Sequence, residues 1–478
     1  MSDVQTRLRS RAAVGAEIRA LLALAAPLTL TNLGQIAMMT TDVLMVATLG
    51  PHPLAASALG GALLFTIWMF GVGAVTAVAP MVAQARGRGR DVRQDCRRTV
   101  QQGIWLALLL SLPAIGLLLL AGPVLRGMGQ DPALVADTES YLAPLMWCLP
   151  PSLAFIVLRT FLAALERTRP AVVVTFLAIF FNAGANWVLI HGKFGFPALG
   201  LFGAGLASTL AALFMAVALG LVVALDPGLR RYRVWTRIWQ SDWGRLRELL
   251  AIGLPIGAMM TLECALFSGA TLVMGLIGAD AVAAHQIALQ CASVTFMVPL
   301  GLGQAATVRV GLAAGRGDPA GMARSGWTAL GVGSLFMALM GVLFLLLAEP
   351  IVGLFLDRAD PATAGTVALA AGFLFYAAVF QLADGAQVIA AGALRGLKDT
   401  RLPMLIAGFG YWAVGFPLGL VCAFVLGWNG DGVWIGLTGG LATVAVLLVL
   451  RFRDRSRRGS ARHDLARPGA HPMAVEMP

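Results

Sequence analysis

The chain contains few charged residues. Only 12% of its 478 residues are charged, whereas 58% are hydrophobic, and a soluble globular protein usually carries about 25% charged residues. The longest polar break in the body of the chain is near residues 226–247, so a soluble catalytic domain has no place. Residues 1–20 are polar and basic and lack the short apolar core of a cleaved signal peptide. We expect the first apolar segment itself to direct membrane insertion.

Cysteine and histidine are also scarce. The five cysteines are odd in number and scattered, which indicates small buried side chains rather than disulfide bonds. The five histidines show no metal-ligand spacing. We therefore expect no cofactor, no resident metal and no catalytic residue. A membrane-embedded enzyme is kept as an unfavoured alternative.

What the sequence does contain is twelve long apolar segments. A helix that crosses a bilayer needs roughly 20 apolar residues, and backbone that faces lipid must be helical. The sequence therefore predicts an all-α membrane protein with twelve transmembrane helices. The segments lie near 20–49, 54–83, 99–121, 133–165, 170–190, 200–225, 248–278, 280–314, 325–348, 362–394, 402–426 and 432–450.

Most of the positively charged residues lie on one side of the predicted membrane protein. With the N-terminus assigned to the cytoplasm, 30 of the 35 Lys and Arg residues fall in the termini and in the loops on that side. Of the remaining five, Arg126, Lys193 and Arg358 lie opposite, and Arg159 and Arg309 lie within apolar segments. This asymmetry predicts cytoplasmic termini. The net charge of +11 then indicates contact with anionic membrane lipid, not with nucleic acid.

The second half of the chain repeats the pattern of the first at a constant offset. The segment Leu21–Pro27 matches Leu249–Pro255, and at the same offset Gly87–Gly89 matches Gly315–Gly317. Six spans per half give two parallel six-helix lobes, as in transporters that bind substrate between their repeats. An ancient duplication without mechanical meaning is the alternative.

The sequence divides into four regions. The lobes are predicted at 1–229 and 248–453. Residues 230–247 place Trp235, Trp239 and Trp243 at helical spacing, which predicts an amphipathic helix on the cytoplasmic surface. A solvated linker is the simpler alternative. Residues 454–478 are rich in Arg, Gly and Pro and are predicted to form a disordered cytoplasmic tail.

Three carboxylates interrupt the apolar segments. Asp42 lies in span 1, Glu263 in span 7 and Asp384 in span 10. A charged side chain at mid-membrane costs about 2.5–3.5 kcal/mol, so such residues usually face a protein interior or a wet cavity and mark ion pathways. We predict that these three bind a coupling ion. A carboxylate near a helix end, or one hydrogen-bonded for packing, is the simpler alternative.

Other residues near these acids are predicted to line a substrate cavity. Gln381 and Gln387 share a helical side with Asp384. Aromatic rings and thioethers, among them those of Tyr376, Phe380 and Met260, would suit flat organic cations, although most such residues simply pack.

Two prolines interrupt span interiors at matching places in the repeats. Pro27 lies in span 1 and Pro255 in span 7, and each removes a backbone hydrogen bond and bends its helix. We predict that they are conformational hinges. A purely structural role is the alternative, since proline is common in membrane helices.

Four stretches resemble the multidrug and toxic compound extrusion (MATE) transporters, especially their NorM-like bacterial branch. They are Asp384–Thr400 (DGAQVIAAGALRGLKDT), His285–Ala288 (HQIA), Pro299–Gly311 (PLGLGQAATVRVG) and Asn182–Thr209 (NAGANWVLIHGKFGFPALGLFGAGLAST). The resemblance extends over nearly the whole body of the chain.

The resemblance implies a two-lobed bundle of twelve helices that opens alternately to each side. We expect the protein to lie in a bacterial inner membrane and to be a monomer. NorM-like members export organic cations, such as drugs and dyes, in exchange for Na⁺, and other members use H⁺. The family's acids in spans 1, 7 and 10 fall on Asp42, Glu263 and Asp384. A polar residue of span 5 falls on Asn182, which we predict to line the substrate cavity as well. One position departs from the family, because Phe380 replaces a Tyr that often precedes the span 10 acid by one turn.

The sequence therefore predicts a multidrug efflux antiporter that works by alternating access. In this hypothesis the coupling ion, Na⁺ or H⁺, neutralises Glu263 and Asp384, and the organic cation loses its counter-charge. The related alternative is a flippase for a lipid-linked oligosaccharide, whose cavity should be lined with Arg or Lys.

Overall fold

The computed structural model describes residues 2–357 and 363–465. Twelve helices within these residues are long and apolar enough to cross a membrane, so the prediction of twelve spans is confirmed. Spans 1–12 are, in order, Ala13–Ala47, Pro51–Arg88, Val92–Gly127, Pro132–Ala164, Arg169–His191, Gly200–Leu225, Trp243–Ile277, Ala279–Arg316, Pro319–Leu346, Ala364–Gly396, Arg401–Val425 and Asn429–Arg458.

Four of these spans are not single regular α-helices. Span 2 divides into Pro51–Val75 and Val78–Arg88, and span 3 into Val92–Leu119 and Ala121–Gly127. Span 4 consists of Pro132–Leu145, a 3₁₀ turn at Met146–Cys148, and Leu149–Ala164. In span 11, wide π-helical segments at Phe409–Gly415 and Val421–Val425 alternate with the α-helices Arg401–Gly408 and Phe416–Leu420. Short helices at Pro227–Arg230 and Ala348–Val352 connect spans 6 and 7 and spans 9 and 10.

Aspartate side chains fix the starts of several spans. Asp131, Asp242 and Asp318 precede spans 4, 7 and 9, and each accepts a backbone N–H of the first turn at 2.8–3.1 Å. Such caps satisfy donors that the helix itself leaves unpaired. Spans 7 and 9 begin at Trp243 and Pro319, ahead of the apolar segments predicted near 248–278 and 325–348, because the capped first turns are polar.

The linker between the lobes is not the amphipathic helix that the sequence predicts. Residues 231–242 form turns, and the helix begins only at Trp243. The reason lies in span 3, where Gln101 donates to the carbonyls of Val234 and Thr236 at 2.7 and 2.8 Å, and Trp105 donates to that of Ile238 at 2.8 Å. These distant side chains bind carbonyls that a helix would satisfy internally.

The C-terminal region also differs from its prediction. The last helix continues from Asn429 to Leu465, so residues 454–465 are helical rather than disordered. The rest of the predicted tail, 466–478, lies outside the described residues, as does Arg358.

The two lobes contact each other through closely packed small residues. A Cβ atom added to Gly73 of span 2 would lie 2.5 Å from Cα of Gly257 in span 7. A Cβ atom on Gly301 of span 8 would lie 2.2 Å from Oγ1 of Thr29 in span 1. The two crossings join equivalent positions of the two repeats, as the offset in the sequence predicts. Small residues permit this backbone approach, which drives helix association in lipid.

Charged residues join the lobes at the end of the bundle that carries the termini. The carboxylate of Glu17 in span 1 accepts two hydrogen bonds from Arg309 of span 8, at 2.7 and 3.0 Å. Arg309 also donates to Glu166 at 3.1 Å, and Glu166 accepts from Arg86 at 2.9 Å. We call Glu17, Arg86, Glu166 and Arg309 the ionic closure. With the glycine crossings, it seals this end, which we call the closed end.

The glycine crossings predict unequal effects of alanine within span 7. A Cβ atom at Gly253 would lie 2.2 Å from the carbonyl oxygen of Ala74, whereas one at Gly275 meets no atom within 4 Å. Gly253→Ala should lower the free energy of unfolding by about 1–3 kcal/mol, because the backbone of Ala74 cannot move aside for the added methyl group. Gly275→Ala should gain about 0.5–1 kcal/mol because alanine favours the helix.

Thermal unfolding of the two variants in the same detergent checks this. We expect a lower Tm for Gly253→Ala than for wild type, and an equal or higher Tm for Gly275→Ala. Equal Tm values for both variants would show that the crossing is not tightly packed.

Candidate transport site: a central cavity and two acidic clusters

A cavity of about 590 Å³ lies between the lobes. Spans 1, 2 and 4 of the first lobe and spans 7, 8 and 10 of the second lobe line it. It extends from Thr307 and Arg395, near the closed end, to Val43 and Gln290, near the opposite end. Cavities of roughly 300–1,000 Å³ accommodate drug-sized molecules. The glycine crossings lie in the half of the bundle nearer the termini, so the cavity opens toward the opposite face.

The cavity wall is apolar with a few polar groups. Aromatic and thioether side chains form part of the wall, including those of Phe65, Trp68, Met69 and Met297. Trp68 is held in place because its indole N–H donates to Oγ of Ser152 at 3.1 Å.

The predicted cavity residues are mostly elsewhere. Of the six, Met260 lines the cavity, whereas Asn182, Tyr376, Phe380, Gln381 and Gln387 do not. Asn182 is buried inside the first lobe, and Phe380, Gln381 and Gln387 are buried inside the second. Tyr376, also in the second lobe, is half-buried. Residues that neighbour the acids do not line the cavity, because the acids themselves lie inside the lobes.

Glu263 and Asp384 come together inside the second lobe. Gln387, one turn after Asp384 in span 10, donates from Nε2 to Oε1 of Glu263 at 3.0 Å. The two carboxylates are close enough to interact electrostatically, and the Asp384 side chain is 5% exposed. Oδ1 of Asp384 and Oε1 of Gln387 are buried without a hydrogen-bond partner among the described residues. Unpaired oxygens beside two acids form a donor set that suits a small cation or a proton. We call Glu263, Asp384 and Gln387 the second-lobe cluster.

A tyrosine that the sequence analysis did not select lies beside this cluster. Tyr411, in the first π-helical segment of span 11, is fully buried and interacts electrostatically with both acids. Its hydroxyl has no hydrogen-bond partner within residues 2–357 and 363–465. The hydroxyl that Phe380 lacks is therefore available from a different helix.

The remaining predicted residues of span 10 support packing. Phe380 is buried against the rings of Phe267 and Trp434, with centroid distances of 6.0 and 5.6 Å. Oε1 of Gln381 accepts the hydroxyl of Thr295 in span 8 at 2.9 Å. Tyr376 is half-buried, one turn further from the acids than Phe380.

Asp42 forms a separate cluster inside the first lobe. Its Oδ1 accepts from Nδ2 of Asn186 at 2.7 Å, and its Oδ2 accepts from the hydroxyl of Ser208 at 3.0 Å. Nδ2 of Asn186 also donates to Oδ1 of Asn182 at 3.3 Å. Oδ1 of Asn186 is buried and has no partner within the described part of the chain. We call Asp42, Asn182, Asn186 and Ser208 the first-lobe cluster.

Each predicted hinge lies at an interlobe crossing. Pro27 falls between Ala25 and Thr29, which contact Gly301, and Pro255 falls between Gly253 and Gly257. Both helices continue through their prolines. The hinge role of Pro27 and Pro255 stays a prediction.

Some residues of the cavity and the two clusters that were not predicted from the sequence have a recognisable signal in it. Asn186 follows Asn182 by one helical turn, which places both on one helical face. Arg395 was counted among the loop cations, but it lies in the last turn of span 10 and lines the cavity. Ser208 and Tyr411 carried no local signal.

Comparison with known proteins gives a consistent result. The MatE family model matches residues 27–188 and 255–421, two stretches whose starts are separated by the same offset as the sequence repeat. A protein of Mesorhizobium japonicum described as a probable multidrug resistance protein NorM is 51% identical over 441 residues, which cover 92% of this chain and 94% of that protein.

Solved structures share the fold. A MATE transporter in the bent conformation has a TM-score of 0.84 at 18% identity and covers 94% of this chain and 97% of its own. The eukaryotic MATE transporter AtDTX14 has a TM-score of 0.82 at 21% identity, with 94% and 99% covered. Helices, repeat and relatives agree, and the chain belongs to the MatE family of MATE transporters.

Proposed function

We propose that the protein is a multidrug efflux antiporter that exports amphiphilic organic molecules in exchange for an inward-moving cation. The observation that carries this proposal is the central cavity, open at one face and sealed at the other, with acidic clusters inside the lobes on either side. The relatives described as multidrug resistance proteins support the substrate class.

Alternating access follows from the way the lobes meet. The closed end depends on glycine contacts and on the ionic closure, both of which join one lobe to the other. Rocking of the lobes would separate these contacts and close the opposite face, as in other two-repeat transporters. The charge asymmetry supports a cytoplasmic closed end, which makes this structure the outward-open state of the proposed cycle. One chain contains the whole cavity, which supports a monomer.

In this proposal, ion binding and substrate binding affect each other through the packing of the helices within the lobes. Direct competition of ion and drug for Glu263 and Asp384, the hypothesis drawn from the sequence, is not favoured, because these two acids do not line the cavity. Two carboxylates buried together repel each other, and a bound cation removes that repulsion. Ion binding therefore changes the packing of span 10 against spans 7 and 11. A conformational equilibrium that both ion and substrate bias is sufficient for exchange.

The first-lobe cluster is proposed as a second cation site. It offers carboxylate, amide and hydroxyl oxygens, which are the ligands that hard cations such as Na⁺ prefer. The unpaired Oδ1 of Asn186 supplies one oxygen directly. The second-lobe cluster accepts Na⁺ or H⁺.

Organic cations as the substrates remain a prediction. The relatives carry names that refer to drugs in general. Among the described residues that line the cavity, none is Asp or Glu, so a cation would find ring faces and thioethers there but no counter-charge.

Removal of the second-lobe acids should uncouple transport. In proteoliposomes, Glu263→Gln and Asp384→Asn should each reduce ion-driven transport of a fluorescent dye by about tenfold or more. Glu139→Gln is the matched control, because Glu139 is a half-exposed acid paired with Arg126 outside the cavity. Measurement with a Na⁺ gradient at fixed pH, and with a pH gradient free of Na⁺, identifies the ion. Full coupled transport in both acid variants would reject the proposal.

Sodium should stabilise the protein through Asp42. A ligand at about 100 times its Kd stabilises a folded protein by about 2.7 kcal/mol. We therefore expect Na⁺, compared with choline at equal ionic strength, to raise the Tm of the wild type. Asp384→Asn should retain at least part of this shift, and Asp42→Asn should lose most of it. An undiminished shift in Asp42→Asn would show that sodium does not bind the first-lobe cluster.

A further inference from the structure

A second pocket, lined by three arginines, lies at the closed end of the bundle and shares no lining residue with the central cavity. Its volume is about 240 Å³. The arginines are Arg86 in the last turn of span 2, Arg167 in the turn between spans 4 and 5, and Arg231 in the linker between the lobes. Among the described residues that line this pocket, none is Asp or Glu. We call it the basic pocket.

Two of these arginines use only part of their hydrogen-bonding capacity. Nη1 of Arg86 donates to the carbonyl oxygen of Ala164 at 3.3 Å and to Oε2 of Glu166 at 2.9 Å. Nη1 of Arg167 donates to Oδ1 of Asp226 at 2.9 Å. The Nε and Nη2 groups of both side chains donate to no atom of residues 2–357 and 363–465. Because a guanidinium carries five N–H donors, most of these donors remain available to a ligand.

Arg231 and Tyr232 contribute further unpaired groups to the basic pocket. Arg231 is exposed and forms no ion pair within the described part of the chain. Its guanidinium lies 5.4 Å from the ring centroid of Tyr232. The Tyr232 side chain is buried and packs edge-on against Phe161, with ring centroids 5.6 Å apart, but its hydroxyl makes no hydrogen bond to another described residue. The pocket therefore combines a fixed aromatic ring with an unpartnered hydroxyl and an unpaired cation.

The backbone of the linker holds this arrangement in place. A Cβ atom added to Gly228 would lie 2.5 Å from Nη1 and Nη2 of Arg167, so the guanidinium packs directly on the glycine. Asp226 accepts the backbone N–H groups of Gly228 and Leu229 at 2.7 and 3.1 Å, and Leu229 is buried. The three arginines are thus gathered around one small space. Like charges at short range repel each other, and a bound anion would remove this repulsion.

The size and the donors of the basic pocket suit a phosphate group. Its volume of about 240 Å³ is below the roughly 300–1,000 Å³ of sites for drug-sized molecules. The planar fork of a guanidinium matches two phosphate oxygens at once, and hydrogen bonds between charged groups are about twice as strong as neutral ones. A phosphate also offers more acceptor oxygens than a carboxylate, and can therefore use donors from several side chains.

The surroundings of the basic pocket favour a lipid as the source of the phosphate. Leu225, the last residue of span 6, is 71% exposed and lies three residues before Gly228. A Cβ atom added to Gly220 of span 6 would lie 3.2 Å from the ring of Trp235, which is itself partly exposed. Trp239 is 82% exposed. Exposed Trp residues are typical of the membrane–water interface, and basic pockets at that level bind the head groups of anionic lipids.

We propose that the basic pocket binds the phosphate of one anionic membrane lipid. Arg86, Arg167 and Arg231 surround the phosphate oxygens, the hydroxyl of Tyr232 donates to one of them, and the acyl chains lie along span 6 beside Leu225. This lipid is a bound partner rather than a transported substrate, because the basic pocket is separate from the central cavity. The inference is independent of the proposed efflux function.

Two lipids that differ only in the head group test the proposal. In native mass spectrometry of the purified full-length chain in detergent, phosphatidylglycerol should bind at least about tenfold more tightly than phosphatidylcholine with the same acyl chains. Arg231→Gln should reduce this preference, because it removes a charge that no described acid neutralises. The double variant Arg167→Gln/Arg231→Gln should abolish it. Equal affinity for the two lipids in the wild type, or an unchanged preference in the double variant, would overturn the proposal.

Two further variants separate a defined site from general attraction to positive charge. Arg237→Gln is the matched control, because Arg237 is an exposed arginine of the same linker that does not line the basic pocket, and it should retain the full preference. Tyr232→Phe should weaken binding of phosphatidylglycerol by about threefold or more, although it removes no hydrogen bond within the described residues. An equal loss of preference in Arg237→Gln and Arg231→Gln would show that no specific site exists.

A soluble phosphate distinguishes a lipid from a free ligand. Glycerol 3-phosphate carries the same phosphate without acyl chains. We expect it to bind the wild type at least about a hundredfold more weakly than phosphatidylglycerol, because buried acyl carbons contribute to the affinity of the lipid. Comparable affinity for glycerol 3-phosphate, lost in the Arg167→Gln/Arg231→Gln variant, would assign the pocket to a soluble phosphate compound and reject the lipid.

Discussion

Close backbone contact between the two lobes is the constraint on which the rest of the structure depends. Helices in lipid associate through packing rather than through the hydrophobic effect, so Gly73, Gly253, Gly257 and Gly301 bring spans 1, 2, 7 and 8 together where larger side chains would hold them apart. The contact seals one end and leaves the lobes separated at the other. The cavity exists because these four glycines are concentrated in one half of the bundle.

Charge inside the membrane is divided between two environments. Asp42 and Glu263 accept hydrogen bonds from neighbouring side chains within their own lobes, whereas Arg159 and Arg395 face the space between the lobes. In the proposed exchange, ions and substrate occupy different places, and each influences the other by changing how the lobes pack. Arg395 both lines the cavity and interacts electrostatically with Glu263.

Composition and repetition were sufficient to predict the spans, the two lobes and the presence of acids within them, because apolar length and stranded charge are local properties of a sequence. The linker could not be predicted, because Gln101 and Trp105 of span 3, distant in the sequence, bind its carbonyls. The place of Arg395 at the cavity could not be predicted, because a cation at the end of an apolar segment cannot be distinguished in the sequence from a loop residue. Tyr411 was missed because only the fold brings span 11 beside spans 7 and 10.

Because Arg159 and Arg395 line the cavity, the charge of the substrate bears directly on the electrical work of the proposed transport. Moving one elementary charge across the membrane is worth about 2.3 kcal/mol per 100 mV. An organic cation leaving an inside-negative cell must do this work, and one entering cation merely returns it. A zwitterion leaves without electrical work, so the same entering cation contributes the full membrane potential to export. A net anion would be expelled by the potential as well, so the proposed exchange would sustain a steeper concentration gradient for a zwitterion or an anion than for a cation.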